Sequence, residues 1–235
     1  MIDIHSHILP GLDDGSRSME QTLSMLRIAS AEGIHTIIAT PHSYGHRKSA
    51  SVEAIQECVA KVRLELEKEK IPITLHVGNE IYYRQGAEEE LVNGEVNTLA
   101  GSRYVLVEFH PQEDYQYITR ALNRLSSYGY IPILAHAERY ENLFQKKDRI
   151  EEIKKCGVQI QVNAASVCEH KWGNIYRKRV WQLLKGQLVD YIASDAHSDV
   201  HRAPRVKECQ KLIEKKLGKE YADACMETNA GYIFR

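Results

Sequence analysis

Short runs of apolar and β-branched residues alternate along the chain with longer segments in which apolar residues recur every three or four positions. Seven such runs stand out, at residues 2–5, 36–40, 73–78, 104–109, 131–136, 158–163 and 191–195. Successive runs begin about 30 residues apart, which is the length of one strand followed by one helix. The pattern therefore predicts seven consecutive strand–helix units.

The segments between the runs have the period of amphipathic helices. In residues 52–66, for example, apolar side chains spaced three and four positions apart form one stripe. This helix must end before Pro72, because proline cannot continue it. No stretch rich in proline, glycine or serine interrupts the series, so we expect a single domain over residues 1–235.

Apolar strands joined by helices predict a parallel sheet that is covered on both faces. An open sheet and a closed barrel both match this pattern, but nearly every run ends in a polar side chain that could bind a metal. In an open sheet, only the strand ends near the switch point share a site. In a barrel, all of them meet at one rim. The barrel is therefore the better interpretation.

Composition and charge exclude several classes of protein. With 43% hydrophobic and 27% charged residues, the chain of 235 residues can form a sizeable core and is not disordered. The net charge of −1 argues against a nucleic-acid partner held by bulk electrostatics. No apolar run approaches the roughly 18 residues of a membrane span, and we find no signal-peptide pattern. The five cysteines include no C-x-x-C pair. We therefore expect a cytoplasmic protein without membrane insertion.

The candidate chemistry lies at the strand ends. His5 and His7 are two positions apart, so an extended chain directs both imidazoles to one side. Asp195 and His197 repeat this spacing after the last run. One such pair alone is weak evidence, since both histidines could simply lie on the surface. The full set of candidate metal ligands is His5, His7, Asp14, His42, Glu80, Glu108, His136, Asp195 and His197.

Nine nitrogen and oxygen ligands are too many for one ion and suit two or three ions bridged by carboxylates. Because the set contains no thiolate, it favours Mn²⁺, with Zn²⁺ or Fe as alternatives, over a structural cysteine–zinc site. The four carboxylates would repel one another without cations among them. The positive charge of three divalent ions would exceed the negative charge of the four carboxylates and attract a phosphate group, whereas two ions would only neutralise the carboxylates.

Seven segments together resemble the polymerase-and-histidinol-phosphatase (PHP) superfamily, and more narrowly its bacterial protein-tyrosine phosphatases associated with capsule and exopolysaccharide synthesis. They are Asp-Ile-His-Ser-His at 3–7, Asp-Asp-Gly at 13–15, Thr-Pro-His at 40–42, Gly-Asn-Glu at 78–80, Glu-Phe at 108–109, Ala-His-Ala-Glu-Arg-Tyr at 135–140 and Ala-Ser-Asp-Ala-His at 193–197. The resemblance extends from residue 1 to about residue 205, and the tail from Gly218 departs from it.

The resemblance implies an α/β fold of the PHP type, a distorted (β/α)7 TIM-like barrel with a manganese cluster of up to three ions. One metal would bind His5, His7, Glu80 and Asp195; a second would share Glu80 and bind Glu108 and His136; the third would bind Asp14, His42 and His197. Arg139 and Arg202 match the family's two phosphate-binding arginines. The implied substrate is phosphotyrosine on a protein, expected to be a bacterial tyrosine kinase.

In the implied mechanism, a hydroxide that bridges the metals attacks phosphorus in line while the arginines neutralise the phosphoryl oxygens. A tyrosyl leaving group, with a pKa of about 10, needs little help from a general acid. The thiol-dependent route requires a C-x₅-R motif, which the chain lacks. Three alternatives stay open: a small-molecule phosphatase such as a histidinol-phosphate phosphatase, a nuclease, and a metal-binding scaffold without turnover.

Other histidines are weaker candidates. His46, His110 and His201 lie near the predicted rim loops, where they could contact substrate, and His170 is expected in solvent. The tail from Gly218 could either influence partner choice or close the barrel.

Overall fold

The computed structural model describes residues 1–45, 49–146, 148–168 and 174–235. Within these ranges, every run predicted to be a strand contains one, and all the strand pairs are parallel. The strands are β1 (Ile2–Ser6), β2 (Thr36–Ala39), β3 (His42–Ser43), β4 (Thr74–Val77), β5 (Glu80–Tyr82), β6 (Tyr104–Glu108), β7 (Ile131–Leu134), β8 (Gln159–Asn163) and β9 (Tyr191–Ala193).

Helices connect the strands, as the apolar periodicity predicts. They are α1 (Met19–Ala31), α2 (Val52–Lys68), α3 (Ala87–Val92), α4 (Tyr115–Ser127), α5 (Arg149–Lys155), α6 (Ala164–Cys168), α7 (Ile175–Lys185), α8 (Lys207–Leu217), α9 (Lys219–Asp223) and α10 (Asn229–Gly231). In α2 the predicted stripe is buried from Ile55 to Leu66, and the Ser51 hydroxyl caps the helix by accepting a hydrogen bond from the Ala54 N–H group. Short 3₁₀ turns, including Ala137–Arg139 and Glu141–Phe144, connect β7 to α5.

Two of the predicted strands are each interrupted and then resume. β2 pairs with β4, and β3 pairs with β5. In both pairs the partner residues are separated by the same number of positions in the chain, so the pairing continues across the gaps at residues 40–41 and 78–79. Pro41 lacks an N–H group for the ladder, and the Asn79 side chain donates a hydrogen bond to the Pro41 carbonyl, 2.8 Å away. His42 and Glu80 therefore follow the ends of β2 and β4, and each also begins a short second strand.

The sheet curls until its last strand lies beside its first. The hydrogen-bonded orders are β1-β2-β4 and β3-β5-β6-β7-β8-β9. The His7 N–H group donates to the Ala196 carbonyl at 2.8 Å, and the Asp195 N–H group donates to the His5 carbonyl at 2.9 Å. The fold is therefore a mixed α/β structure around a curled parallel sheet, which confirms the predicted class in this coarser form.

The C-terminal segment packs against the inside of this sheet. Ala230 and Ile233 belong to a small buried cluster with Ile4, Ile38 and Ile133, which lie on strands β1, β2 and β7. The larger hydrophobic cluster joins the helices to the strands. The tail from Gly218 therefore supplies apolar side chains to the core, a contribution that the sequence left undecided.

Along the described parts of the chain, none of the helices has the length and apolar character needed to cross a lipid bilayer. The predicted rim residue His46 and the predicted solvent residue His170 lie outside the described residues.

Candidate metal centre

The two histidines at the start of the chain turn their rings to the same side, as their spacing predicts. His5 lies in β1 and His7 follows it, and both are buried. Their Nε2 atoms are 3.2 Å apart. Two ring nitrogens this close face a common space in which one cation could bind both.

Glu80 lies at the centre of the candidate site. Its Oε2 atom is 3.2 Å from His5 Nε2 and 3.1 Å from His7 Nε2. The same oxygen is 3.1 Å from His42 Nδ1, and Oε1 is 2.8 Å from His136 Nε2. A buried carboxylate with four imidazoles around it has the arrangement expected of a ligand that bridges two ions.

The remaining predicted ligands complete the cluster. Asp14 Oδ1 lies 3.4 Å from both His42 Nε2 and His197 Nε2. Glu108 Oε2 is 3.4 Å from His136 Nε2, and Asp195 Oδ1 is 3.4 Å from His5 Nε2. The structure thus brings all nine predicted side chains together, although their role as ligands stays a prediction.

Three groups within this cluster have ligand atoms close enough to share an ion. They are His7, Asp14, His42 and His197; His5, His7 and Glu80; and His42, Glu80 and Glu108. His7, His42 and Glu80 each occur in two groups. The division of the ligands among three metals that the resemblance implies therefore stays a prediction, since these three side chains could serve neighbouring ions.

Two of the candidate ligand residues have strained backbones where their strands end. His136 follows β7 with a φ of 34°, and Asp195 follows β9 with a φ of 50°. Residues other than glycine rarely adopt this left-handed region, because it costs conformational free energy. Such a conformation persists mainly where the surrounding contacts hold the backbone in place. With this backbone conformation, His136 lies against Glu80 and Asp195 lies against His5 in the cluster.

Asp13 orients the histidines although the sequence analysis treated it only as part of a motif. Its Oδ2 atom is 2.7 Å from His7 Nδ1 and also accepts the His42 N–H group at 3.1 Å. Its Oδ1 atom accepts the Gly15 N–H group at 2.9 Å. A carboxylate behind a metal-binding imidazole determines the tautomer and the ring orientation. The adjacency of Asp13 to Asp14 was the one available signal.

Gln161 supports the cluster from strand β8, and the sequence analysis missed it. Its side-chain oxygen accepts the His136 N–H group at 2.7 Å and lies 3.2 Å from His5 Nδ1. Its amide nitrogen donates to Asn163 Oδ1, and Asn163 in turn donates to Asp195 Oδ2 at 2.7 Å. The alternation of polar residues with Ile160 and Val162 along β8 was the available sequence signal.

The donor set fits divalent cations. His42 Nδ1 and Glu108 Oε1 are buried and 3.0 Å apart, yet neither has a well-formed hydrogen-bond partner among the residues that the structure describes. His136 Nδ1 is also buried and unpaired within those ranges. Buried polar atoms without partners are costly, and a cation between nitrogen and oxygen ligands would satisfy the first two.

Protons offset the negative charge of the cluster when it holds no cation. Burial alone would lower the pKa of His7, but its contacts with Asp13 and Glu80 raise that pKa to about 10. Burial likewise opposes the charged form of His136, but contacts with Glu108 and Glu80 raise its pKa to about 9. A metal ion must displace these protons to bind, so its affinity should increase with pH in the neutral range.

The predicted phosphate-binding arginines both contact Asp195. Arg139 Nη2 and Arg202 Nη2 lie 2.7 and 2.8 Å from Asp195 Oδ2. Burial would raise the pKa of Asp195, but the neighbouring charges, including His5 and Arg139, hold it well below its ordinary value. Both arginine side chains are partly exposed, at 31% and 43%, so each can also reach a ligand from solvent.

The weaker histidine candidates lie at exposed positions. His110 and His201 are both solvent-accessible, and His110 Nδ1 accepts the Gln112 N–H group at 3.3 Å. Their contact with substrate stays a prediction. All five cysteines are free, and Cys209 and Cys225 are buried.

Comparison with known proteins identifies related sequences over the whole chain. A family model described as capsular polysaccharide synthesis, CpsB/CapC, matches residues 1–235. The tyrosine-protein phosphatase CpsB of Streptococcus agalactiae serotype III is 32% identical over all of this chain and 98% of its own. CpsB of Streptococcus pneumoniae is 35% identical over 94% of this chain and 93% of its own.

A solved structure has the same fold. It comes from work on YwqE of Bacillus subtilis and CpsB of Streptococcus pneumoniae, described as metal-dependent tyrosine phosphatases. It superposes with a TM-score of 0.88 and 31% identity, covering 94% of this chain and 90% of the other.

Proposed function

Because the chain belongs to the CpsB/CapC family and is a metal-dependent tyrosine-protein phosphatase, we propose that it hydrolyses phosphotyrosine on a bacterial tyrosine kinase or a related protein that regulates capsule or exopolysaccharide synthesis. The description of its family, capsular polysaccharide synthesis, supports the capsule context. The candidate site supports the chemistry, since its ligand set and its arginines both suit a phosphate monoester.

The single observation that carries this proposal is the convergence of the nine ligand side chains beside two arginines. We propose that this cluster holds two or three Mn²⁺ ions, with Zn²⁺ or Fe as alternatives, since its ligands are imidazoles and carboxylates only. The buried, unpaired atoms of His42 and Glu108 support an ion between them. When bound, such ions supply Lewis acidity and a nucleophile at neutral pH.

The chain itself contributes charge, position and orientation. Arg139 and Arg202 can each direct a guanidinium group toward the phosphoryl oxygens, whose negative charge spreads in a loose transition state. Asp195 holds both arginines from below, while Asp13 and Gln161 hold the imidazoles. Because tyrosine has a pKa of about 10, the leaving group departs without a strong general acid.

We also propose that the curled sheet is a distorted (β/α)7 barrel of the PHP type, formed by one domain over residues 1–235. The common offset of the β2·β4 and β3·β5 pairs supports it, because β2 and β3 can then form one strand of such a barrel, and β4 and β5 the neighbouring strand. The bridge between Ser6 and Ala196 supports closure between the first and last strands.

One set of assays tests the proposed substrate and cofactor. The purified protein is stripped with a chelator, reloaded with Mn²⁺, Zn²⁺ or Fe²⁺, and supplied with a phosphotyrosine peptide, a phosphoserine peptide or histidinol phosphate. We expect no turnover after chelation, recovery with Mn²⁺, preference for phosphotyrosine and resistance to iodoacetamide. Preference for histidinol phosphate would instead indicate a small-molecule phosphatase. Tight binding of phosphopeptide without turnover would indicate a scaffold.

A further inference from the structure

An aromatic surface lies against the candidate metal centre at His42. The ring centroid of Tyr44 is 5.0 Å from that of His42, with an interplanar angle of 31°. The ring centroid of Tyr82 is 5.7 Å from that of Tyr44. Tyr44 nevertheless remains 41% exposed, although a tyrosine ring is largely apolar. We call Tyr44 and Tyr82 the aromatic platform.

Local contacts hold the aromatic platform in place. Tyr82 ends strand β5 and is paired with Glu108 in the adjacent strand. The Tyr44 N–H group donates to the Ser49 hydroxyl at 2.6 Å. Gly45, with a φ of 100°, packs so closely on the Arg84 guanidinium that a Cβ atom there would lie 2.5 Å from it. Tyr44 therefore projects from a backbone that is constrained on both sides.

The aromatic platform and the arginines contact different members of the cluster. Tyr44 packs on His42, whereas Arg139 and Arg202 contact Asp195. A phosphate ester bound at the cluster would therefore meet positive charge next to Asp195 and an aromatic face next to His42. This arrangement suits an ester whose alcohol part is a flat ring, because aromatic rings attract each other in offset or tilted pairs.

We propose that the aromatic platform binds the phenyl ring of the substrate and that Tyr44 thereby makes the protein select aryl over alkyl phosphate monoesters. This inference rests on the proposed phosphotyrosine substrate and adds the residue that recognises its ring. Tyr44 acts here as a specificity-determining residue, through the face of its ring.

Substitution of Tyr44 tests the proposal on the manganese-loaded protein. We expect Tyr44→Ala to raise KM for a phosphotyrosine peptide and to weaken binding of phenylphosphonate by about 3- to 10-fold, the range of one aromatic pair. Hydrolysis of a phosphoserine peptide, binding of methylphosphonate and metal content should not change. Tyr44→Phe should behave as the wild type. Tyr128→Ala, which removes a similarly exposed ring after α4, serves as the matched control.

Three outcomes would overturn the proposal. If Tyr44→Ala weakened the binding of phenylphosphonate and methylphosphonate equally, Tyr44 would be a structural support of His42. If KM and the binding constants did not change, the substrate ring would bind elsewhere. Loss of metal from Tyr44→Ala would also contradict it. Failure of the proposed function is distinguishable. If the wild-type protein does not hydrolyse phosphotyrosine, the proposed function is refuted. If the wild type nevertheless binds phenylphosphonate more tightly than methylphosphonate and Tyr44→Ala loses this preference, the aromatic platform is supported.

Discussion

Arg139 and Arg202 share one oxygen of the same carboxylate. Their Nη2 atoms lie 2.7 and 2.8 Å from Asp195 Oδ2, while Asp195 Oδ1 faces His5 at 3.4 Å. One side chain therefore connects the arginines to the imidazoles of the candidate metal centre. Because the contact with Asp195 limits where each guanidinium can lie, the two cations are already held at the cluster before any phosphate binds.

Asp195→Ala should disrupt both halves of this arrangement. It removes one candidate ligand and releases both guanidinium groups, so we expect weaker metal binding and a decrease in phosphatase activity of more than about 100-fold, the upper range for loss of a supporting group. Metal analysis and turnover of a phosphotyrosine peptide measure these effects. Asp223→Ala, an exposed helical position, is the control. Normal metal content and turnover in Asp195→Ala would disprove its assignment as a ligand.

Arg139→Ala should separate substrate chemistry from metal binding. The candidate ligands remain, but the substitution removes one cation that we propose stabilises the phosphoryl group in the transition state, so we expect a decrease of roughly 10²- to 10³-fold in kcat. Orthophosphate should inhibit less, and metal content should stay at the wild-type value. Lysine at this position should restore activity only in part, because it lacks the planar fork.

Arg27→Ala, an exposed ion-pair position on α1, is the control for this experiment. Loss of metal from Arg139→Ala would show that this arginine supports the cluster rather than the phosphate.

Asp13→Asn should weaken metal binding without removing a candidate ligand. The substitution changes the hydrogen bond between Asp13 Oδ2 and His7 Nδ1, two atoms that are 2.7 Å apart. Loss of such a supporting contact typically costs about 10- to 100-fold in metal affinity or activity. Competition with a chromogenic chelator measures the affinity, and Asp114→Asn, which caps α4, is the control. An unchanged affinity would show that the orientation of His7 does not depend on Asp13.

Gly15→Ala should disturb the same region by steric overlap. A Cβ atom at Gly15 would lie 2.1 Å from the His7 carbonyl oxygen and 2.5 Å from His7 Cβ, so the loop that carries Asp13 and Asp14 must move. We expect lower metal affinity together with a lower melting temperature. Gly157→Ala tests backbone strain alone, because its Cβ would meet no atom within 4 Å. Equal metal affinity in both variants would contradict the close packing of this loop.

The stability of the chelated protein should decrease at alkaline pH. The pKa values of His7 and His136 are about 10 and about 9 in the fold, above the ordinary value of about 6.5. A raised pKa contributes stability that is complete below pH 6.5 and is lost as the pH rises through 9 to 10. Denaturant unfolding in chelator at pH 7 and pH 9.5 measures this loss.

The manganese-loaded protein is the control, because metal binding keeps the imidazoles unprotonated and should remove this pH dependence. His136→Gln should show a smaller loss in chelator. If stability decreased equally at alkaline pH with and without metal, the decrease would come from titrating groups outside the cluster.

The sequence by itself determined the local parts of this protein. Short apolar runs and the helical period depend on neighbouring residues, so they located the strands, apart from the breaks at residues 40–41 and 78–79, and the apolar stripe of α2. Because parallel strands direct their carboxyl ends to one side, the same patterns also predicted that distant side chains such as His5 and Glu80 would meet. The family resemblance added the arginines, whose roles stay predictions.

Only the tertiary structure decided contacts that join distant segments without a local pattern. At the breaks before His42 and Glu80, the Asn79 side chain donates a hydrogen bond to the carbonyl of Pro41, which is 38 positions earlier in the chain. The support from Gln161 and the packing of Tyr44 against Tyr82 depend likewise on which strands become neighbours when the sheet curls. A hydrogen bond or a ring contact depends on a separation of a few ångströms in space. Chain position alone does not define that separation.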